Sequence, residues 1–283
     1  MDDSQSNVNE VAGTQSPEGM CKLTKKYGHF ARSHIIPRSL TRLTKTGERM
    51  VEVGIDKGIK KRYDSWFDTS LVTQEGEKIL EEIDTPAIEI LRRHKMLWSS
   101  WNGATKLASD DLIGKAEDIN LRTVIFENSK ILQLFFLSLV WRAAASTRPE
   151  MHEVNLTEEI LEDIRLRILN KDIGNSHDYP IHLHQITTIG VKHNRTPLLE
   201  TVNILLENGK EGDEQVDRVR LYFDGLVAHV HIAKNTPLND SYVKISLGNG
   251  LNDSSIIIGR PFSDSRANEN IKTVARTVSS NLS

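Results

Sequence analysis

Cysteine is nearly absent from this chain of 283 residues. Cys21 stands alone, which excludes an internal disulfide, a four-cysteine zinc site and a CxxC redox centre. Aromatic residues make up only 6%, too few for an aromatic-rich stacking sheet. Long apolar runs are missing as well. The longest, Ile131 to Ala145, is interrupted by Gln133, Ser138 and Arg142 and is too short to span a bilayer. The opening MDDSQSNVNE has neither the basic nor the apolar region of a secretory signal. With 38% apolar and 27% charged residues, the expectation is a water-soluble globular protein of the reducing cytoplasm with no membrane partner. The length suits one large domain or two modest ones. A net charge of -3 argues against a uniformly basic nucleic-acid coat.

That average conceals a block structure. Between Cys21 and Arg62, twelve Lys or Arg oppose three acids, a local +9. Between Tyr63 and Leu91, eight acids oppose one Lys78, a local -7. A basic block is the footprint of a phosphate-contacting surface, whereas a solvated face paired with the acidic block is the plainer alternative. Residues 1–19 are polar and aperiodic and are expected to be a disordered tail. Residues 20–62 read as turns and short strands, including Arg49 to Val53. Residues 73–98 read as helical, with Thr85 and Pro86 as an internal N-cap and first helical position, and Asn102-Gly103 beyond the end. Residues 119–146 read as the most apolar helix, and 156–170 as another, with Asn155 as N-cap, Glu158 in the capping-box position and Gly174 past its end. Arg218 to Phe223, Asp224-Gly225 and Leu226 to Ile232 form a hairpin signal with a type I′ turn. Pro180 to Ile189, Tyr242 to Leu247 and Ser255 to Ile258 read as strands, and Ile271 to Val278 as a short helix. The fold class is therefore α+β, with a tail (1–19), a small N-terminal module (20–105) and a helical and β-rich region (106–283).

The motif order near the N-terminus is Cys21-Lys-Leu-Thr24, then Ser33-His34-Ile-Ile-Pro37, then Thr73-Gln-Glu-Gly76-Glu77. It resembles HNH-type nuclease modules of the treble-clef (ββα-metal) kind, over about residues 21–84. In that family a CxxC knuckle precedes an xHxxP strand, and a second CxxC opens a helix. Cys21, Thr24, Thr73 and Gly76 occupy the four knuckle positions here. Three zinc ligands are thus missing, and Thr or Gly cannot replace thiolates. The resemblance implies a module without structural zinc, held by packing of Leu23, Phe30, Leu71, Ile79 and Leu80. It implies His34 as general base, Asp68 in the place of the orienting Asn, and Glu77 where the last metal-ligating His stands. Asp68 and Glu77 would hold Mg²⁺ or Mn²⁺, whose hardness suits carboxylate oxygens. Ser33 replaces the usual ligand before the motif His. Lys25, Lys26, Arg32, Arg38 and Arg42 would hold the backbone of nucleic acid, with DNA the expected form.

The leading expectation is a metal-dependent endonuclease, in a role the resemblance associates with prokaryotic restriction and anti-phage defence. The alternative is a catalytically degenerate nucleic-acid-binding or adaptor protein. Residues 106–283 would then supply target choice, a protein partner surface or a homo-oligomer contact. A third class, a zinc-dependent small-molecule enzyme, rests on His182/His184 and His229/His231, whose i,i+2 spacing sets each pair on one strand face. Nothing in the sequence brings these pairs together, so a polar outer sheet face is the expectation, with Ile181, Leu183, Ala228, Val230 and Ile232 inward. The loop from Gly190 to Pro197 offers one further base, His193. Arg92, Arg93, His94 and Lys95 beside Trp98 and Trp101 read as packed indoles at a helix end or as a base-stacking patch.

Overall fold

Short apolar pieces separated by turn residues give short strands, and the described residues up to Asp68 follow that pattern. The structure is a computed structural model, and it describes residues 16–41, 50–54, 58–62, 65–108, 114–116, 119–205, 211–234 and 238–280. The expected tail lies outside the described residues up to position 15. Its last part belongs instead to β1 (Glu18–Met20), which pairs antiparallel with β2 (Tyr27–His29). β3 (Ser33–His34) runs into Pro37 and a single helical turn, α1 (Arg38–Thr41). A hairpin of β4 (Met50–Gly54) and β5 (Gly58–Arg62) follows, and then β6 (Phe67–Asp68) returns to pair with β3.

The chain next enters α2 (Gln74–Arg93), a twenty-residue helix. Leu80, Ile83, Ala87, Ile88 and Leu91 are buried at helical spacing, Glu75 and Glu77 lie in the first turn, and Arg92 and Arg93 in the last. Both charge placements complement the helix dipole. Thr85 and Pro86 do not start a helix. Pro86 sits inside α2, where its ring forfeits one backbone hydrogen bond, and the buried stripe on either side keeps the helix continuous. The helix also ends earlier than expected, because Lys95 turns left-handed (φ 54°) and Trp98 belongs to a separate 3-10 turn.

The remaining strands are β7 (Gly114–Ala116), β8 (Ile119–Ile125), β9 (Ile181–Ile186), β10 (Asn194–Arg195), β11 (Leu198–Leu205), β12 (Glu211–Phe223), β13 (Leu226–Ile232) and β14 (Ser254–Arg260). They alternate with α3 (Ser129–Ala145), α4 (Glu158–Asn170), α5 (Asp240–Lys244) and α6 (Arg266–Ser280). Seven strands form one sheet in the order β11-β12-β13-β9-β14-β8-β7, antiparallel throughout except for the β9–β14 pair. β10 pairs in parallel with β4 and so ties the N-terminal hairpin to the second half of the chain.

Three further expectations are corrected. The apolar helix starts at Ser129, not near 119, because Asn128 caps it by accepting from Ile131 N at 3.0 Å. Residues 119–125 are β8, whose Ile-Asn-Leu-Arg-Thr-Val alternation has the period of a strand. Tyr242 to Leu247 is not a strand: Asn239 accepts from Ser241 N (2.7 Å) and opens α5. α4 is capped by Thr157, not Asn155; it closes on left-handed Lys171 (φ 51°), and Gly174 lies past its end as expected.

Thirteen of the seventeen residues of α3 are buried, which makes it the central helix, with polar side chains accommodated only where they find partners. One hydrophobic cluster runs from Cys21 and Leu23 through α2 and α3 to Ile257. Packing is thus continuous across the module boundary expected at 105/106. Polar ties cross it too. Arg142 on α3 bonds both Asp84 oxygens (2.9 and 2.5 Å) and reaches His34 O at 3.3 Å. Lys22 reaches Ala145 O at 2.6 Å, and Arg165 reaches Leu23 O at 2.6 Å. Among the described residues no helix is long and apolar enough to cross a membrane.

Candidate functional site

The four positions aligned with knuckle cysteines converge. Cys21 is fully buried, and its sulfur accepts from Thr24 N at 3.4 Å. Burial alone would raise this thiol, but hydrogen bonds from Thr24 and Thr73 outweigh it and hold Cys21 below the ordinary cysteine range. A side chain at Gly76 would place its Cβ 2.8 Å from Cys21 Sγ and 3.0 Å from Val72 Cβ. The cysteine sulfur therefore fills space that Gly76 leaves open, beside the first turn of α2. The Phe30–Thr73 bridge and the Ala31 N to Val72 O bond (3.0 Å) lace the strand to that helix start. Leu23, Leu71 and Leu80 are buried here, with Phe30 and Ile79 half-buried.

The residues expected to carry chemistry are placed less favourably. In the β3–β6 ribbon, Ser33 opposes Asp68 and His34 opposes Phe67. Alternation sends the two pairs to opposite faces. His34 accordingly lies against Phe67 (ring centroids 6.2 Å apart), while Asp68 points away from it. Asp68 is 4% exposed and accepts four hydrogen bonds, from Ser70 N (2.8 Å), Ser70 Oγ (2.9 Å), Ser146 Oγ (2.7 Å) and Thr147 N (3.3 Å). Burial would raise its carboxyl, but these bonds hold it below the usual carboxylate range. Its geometry is that of a structural acceptor joining β6 to the end of α3.

Glu77 projects from the first turn of α2, and its buried Oε2 has no hydrogen-bond partner among the described residues. Ser33 Oγ is in the same condition. Among the described residues no three His, Cys, Asp or Glu side chains gather as a group able to hold a metal ion. Asp68, one of the two carboxylates named for Mg²⁺ or Mn²⁺, is committed to four protein donors.

Of the expected phosphate contacts, Lys25, Lys26, Arg32 and Arg38 are exposed, and Arg42 lies outside the described residues. Lys26 pairs with Glu75 at 2.7 Å. The guanidinium of Arg32 lies 3.8 Å from the centroid of Phe67, and that of Arg148 lies 5.7 Å from it. Phe67 is thus flanked by two arginines and His34, a cationic and aromatic surface at the ribbon edge. Trp98 and Trp101 form no such surface: both are buried, donating to Ile186 O and Lys95 O at 2.9 Å.

The second polar concentration lies on the seven-stranded sheet. The two-residue turn holds Asp224 at φ 47° and Gly225 at φ 79°, as a type I′ hairpin requires. That turn fixes the register, so His229 opposes both Arg220 and His182, and His231 opposes Arg218. The sequence left the relative placement of the two histidine pairs open, and the structure brings them together, because β9 and β13 are neighbours. His184 and His229 rings lie 4.6 Å apart, and His182 and His231 rings 4.9 Å apart. The aliphatic side of these strands faces inward as expected, with Ile181, Leu183, Ala228 and Val230 in the core and Ile232 packed against it, but the expected outer face is corrected: His182, His229 and His231 are buried as well.

The nitrogens do not converge on a centre. His182 Nε2 donates to Tyr242 O (2.9 Å), and Tyr242 Oη meets His231 Nε2 at 3.2 Å. Burial pushes His182 down to about 4, His184 to about 3 and His231 to about 2, with neighbouring cations adding to the effect, and His229 falls well below its usual value for the same reasons. All four are neutral at pH 7. His193 is also buried, stacks on Tyr222 at 4.7 Å, and donates from Nδ1 to Val191 O (2.8 Å).

Sequence reasoning missed the arginines of this face. The signal was present, since Arg218 and Arg220 repeat at i,i+2 across a two-residue turn from His229 and His231. No protein family, curated protein or solved structure matches the chain.

Proposed function

We propose that the N-terminal ββα unit is an HNH-like treble clef without zinc, and that it binds nucleic acid, with DNA the expected form, without cutting it. The observation that carries this reading is the convergence of Cys21, Thr24, Thr73 and Gly76 around one buried sulfur. It supports a knuckle whose metal has been replaced by packing. The separation of His34 from Asp68 supports binding over cleavage. The surface offered to phosphate and bases is the exposed Arg32 over Phe67, beside His34.

A metal-dependent endonuclease is the second reading, and one observation favours it: the buried, unpartnered Oε2 of Glu77. One experiment separates the two. Duplex and single-stranded DNA are titrated by fluorescence anisotropy from about 50 to 200 mM salt, with plasmid incubated in Mg²⁺ or Mn²⁺ in parallel. Expected are salt-sensitive binding weakened by Arg32→Ala and intact plasmid. Metal-dependent cleavage abolished by His34→Ala would overturn the binding-only reading in favour of the nuclease. Absence of any salt-sensitive binding would overturn both.

A further inference from the structure

The polar face of the large sheet holds a cavity of about 260 Å³. Arg218 and Arg220 enter it from β12, Arg260 from β14 and Arg266 from the start of α6, with His184 and His229 between them. Four guanidinium groups therefore share one small space. Glu200 answers two of them, Arg218 at 3.0 Å and Arg266 at 2.5 Å. Arg220 is different. It is 4% exposed and makes no hydrogen bond or ion pair with any described residue. A guanidinium carries five donors and keeps its charge, so burying it without an acceptor is costly. Burial, with Arg266 and Arg195 nearby, pushes its pKa down to about 10, which registers how poorly its charge is compensated.

Two more features face the same space. Ser265 accepts from Asn268 N at 3.3 Å and caps α6, a fifteen-residue helix, so the first turn of that helix borders the cavity. His229 Nδ1 is buried and has no hydrogen-bond partner among the described residues. The structure thus presents donors from two strands and a helix start, and the most buried arginine of this cavity has no hydrogen-bond partner among the described residues.

From this arrangement we infer that the cavity binds the phosphoryl group of a small phosphorylated molecule, of sugar-phosphate or mononucleotide size. Guanidinium forks arriving from β12, β14 and α6 match a tetrahedral dianion with several terminal oxygens better than the single plane of a carboxylate. The volume lies just under the usual range for drug-sized ligands, about 300 to 1,000 Å³, which suits one phosphate and a compact body. This inference is independent of the N-terminal reading, because none of its residues belongs to the ββα unit.

The test is calorimetric titration of the full chain with inorganic phosphate, ribose 5-phosphate, ribose and citrate. Expected is binding of ribose 5-phosphate with no heat from ribose and weaker binding of citrate. Arg220→Gln and, separately, the exposed Arg260→Gln should each weaken it, the first by about tenfold or more. The unliganded Arg220→Gln protein should melt at the wild-type temperature or above, since it loses a charge with no partner. A structural arginine would behave oppositely. The inference is overturned if wild-type protein binds no phosphate compound at about 10 mM. It is equally overturned if both variants bind as wild type, or if a 5′-phosphorylated oligonucleotide is strongly preferred to ribose 5-phosphate.

Discussion

At the scale of single residues, a missing side chain holds the N-terminal unit together. Gly76 lies in the first turn of a long helix, where alanine ordinarily improves stability by up to about 1 kcal/mol. Here the added methyl would meet Cys21 Sγ at 2.8 Å and Val72 Cβ at 3.0 Å. Steric overlap decides the sign, so Gly76→Ala is expected to destabilise by about 1–3 kcal/mol. Urea unfolding checks this, and a variant as stable as wild type would show that the sulfur does not occupy that space. The grouping of Cys21, Thr24, Thr73 and Gly76 was legible from their two i,i+3 intervals. Which face each side chain takes was not. Position 68 follows 34 by a long connection, and only the Ser33–Asp68 register sends the carboxylate away from the imidazole.

At the scale of elements, the sequence spoke clearly where local chemistry decides and poorly where packing does. Asp224-Gly225 predicted the hairpin because both residues tolerate positive φ, and both adopt it. Gly225 has a second constraint, since a Cβ there would lie 2.3 Å from Trp98 Nε1. Gly225→Ala is expected to cost about 1–3 kcal/mol through this clash and the backbone strain together. A thermal melt measures it, and loss of the Trp98 to Ile186 hydrogen bond should alter the tryptophan emission. Pro86 misled in the opposite direction. Proline is a local signal for a helix start, and the buried face from Leu80 to Leu91 overrides it. β8 was misassigned because its apolar residues run directly into those of α3, and only Asn128 marks the join.

At the scale of the whole molecule, the buried histidines govern behaviour in acid. An unfolded imidazole titrates near 6.5, whereas His182 is held down to about 4 and His184 to about 3 by burial. Below pH 6.5 the unfolded chain therefore takes up protons that the folded chain refuses, and stability falls as pH falls. Each such group contributes a slope of about 1.4 kcal/mol per pH unit across that interval. The urea midpoint should thus drop steadily from pH 7 towards pH 4.5, and His231→Gln should shallow the decline. A midpoint constant between pH 7 and pH 5 would refute the assignment of neutral, buried imidazoles. That the histidines share one face was readable from i,i+2 spacing, but that β9 and β13 adjoin was not, because some forty residues separate them.

The strand order also bears on how the protein is made. β14 lies between β9 and β8, both of which precede it by many residues, so it is the keystone of the sheet. While a ribosome is still translating, the earlier strands emerge with a gap between them that nothing yet fills. The nascent chain must wait for residue 260 before that gap closes, and until then two bare strand borders stand open to chaperones or to a neighbouring copy.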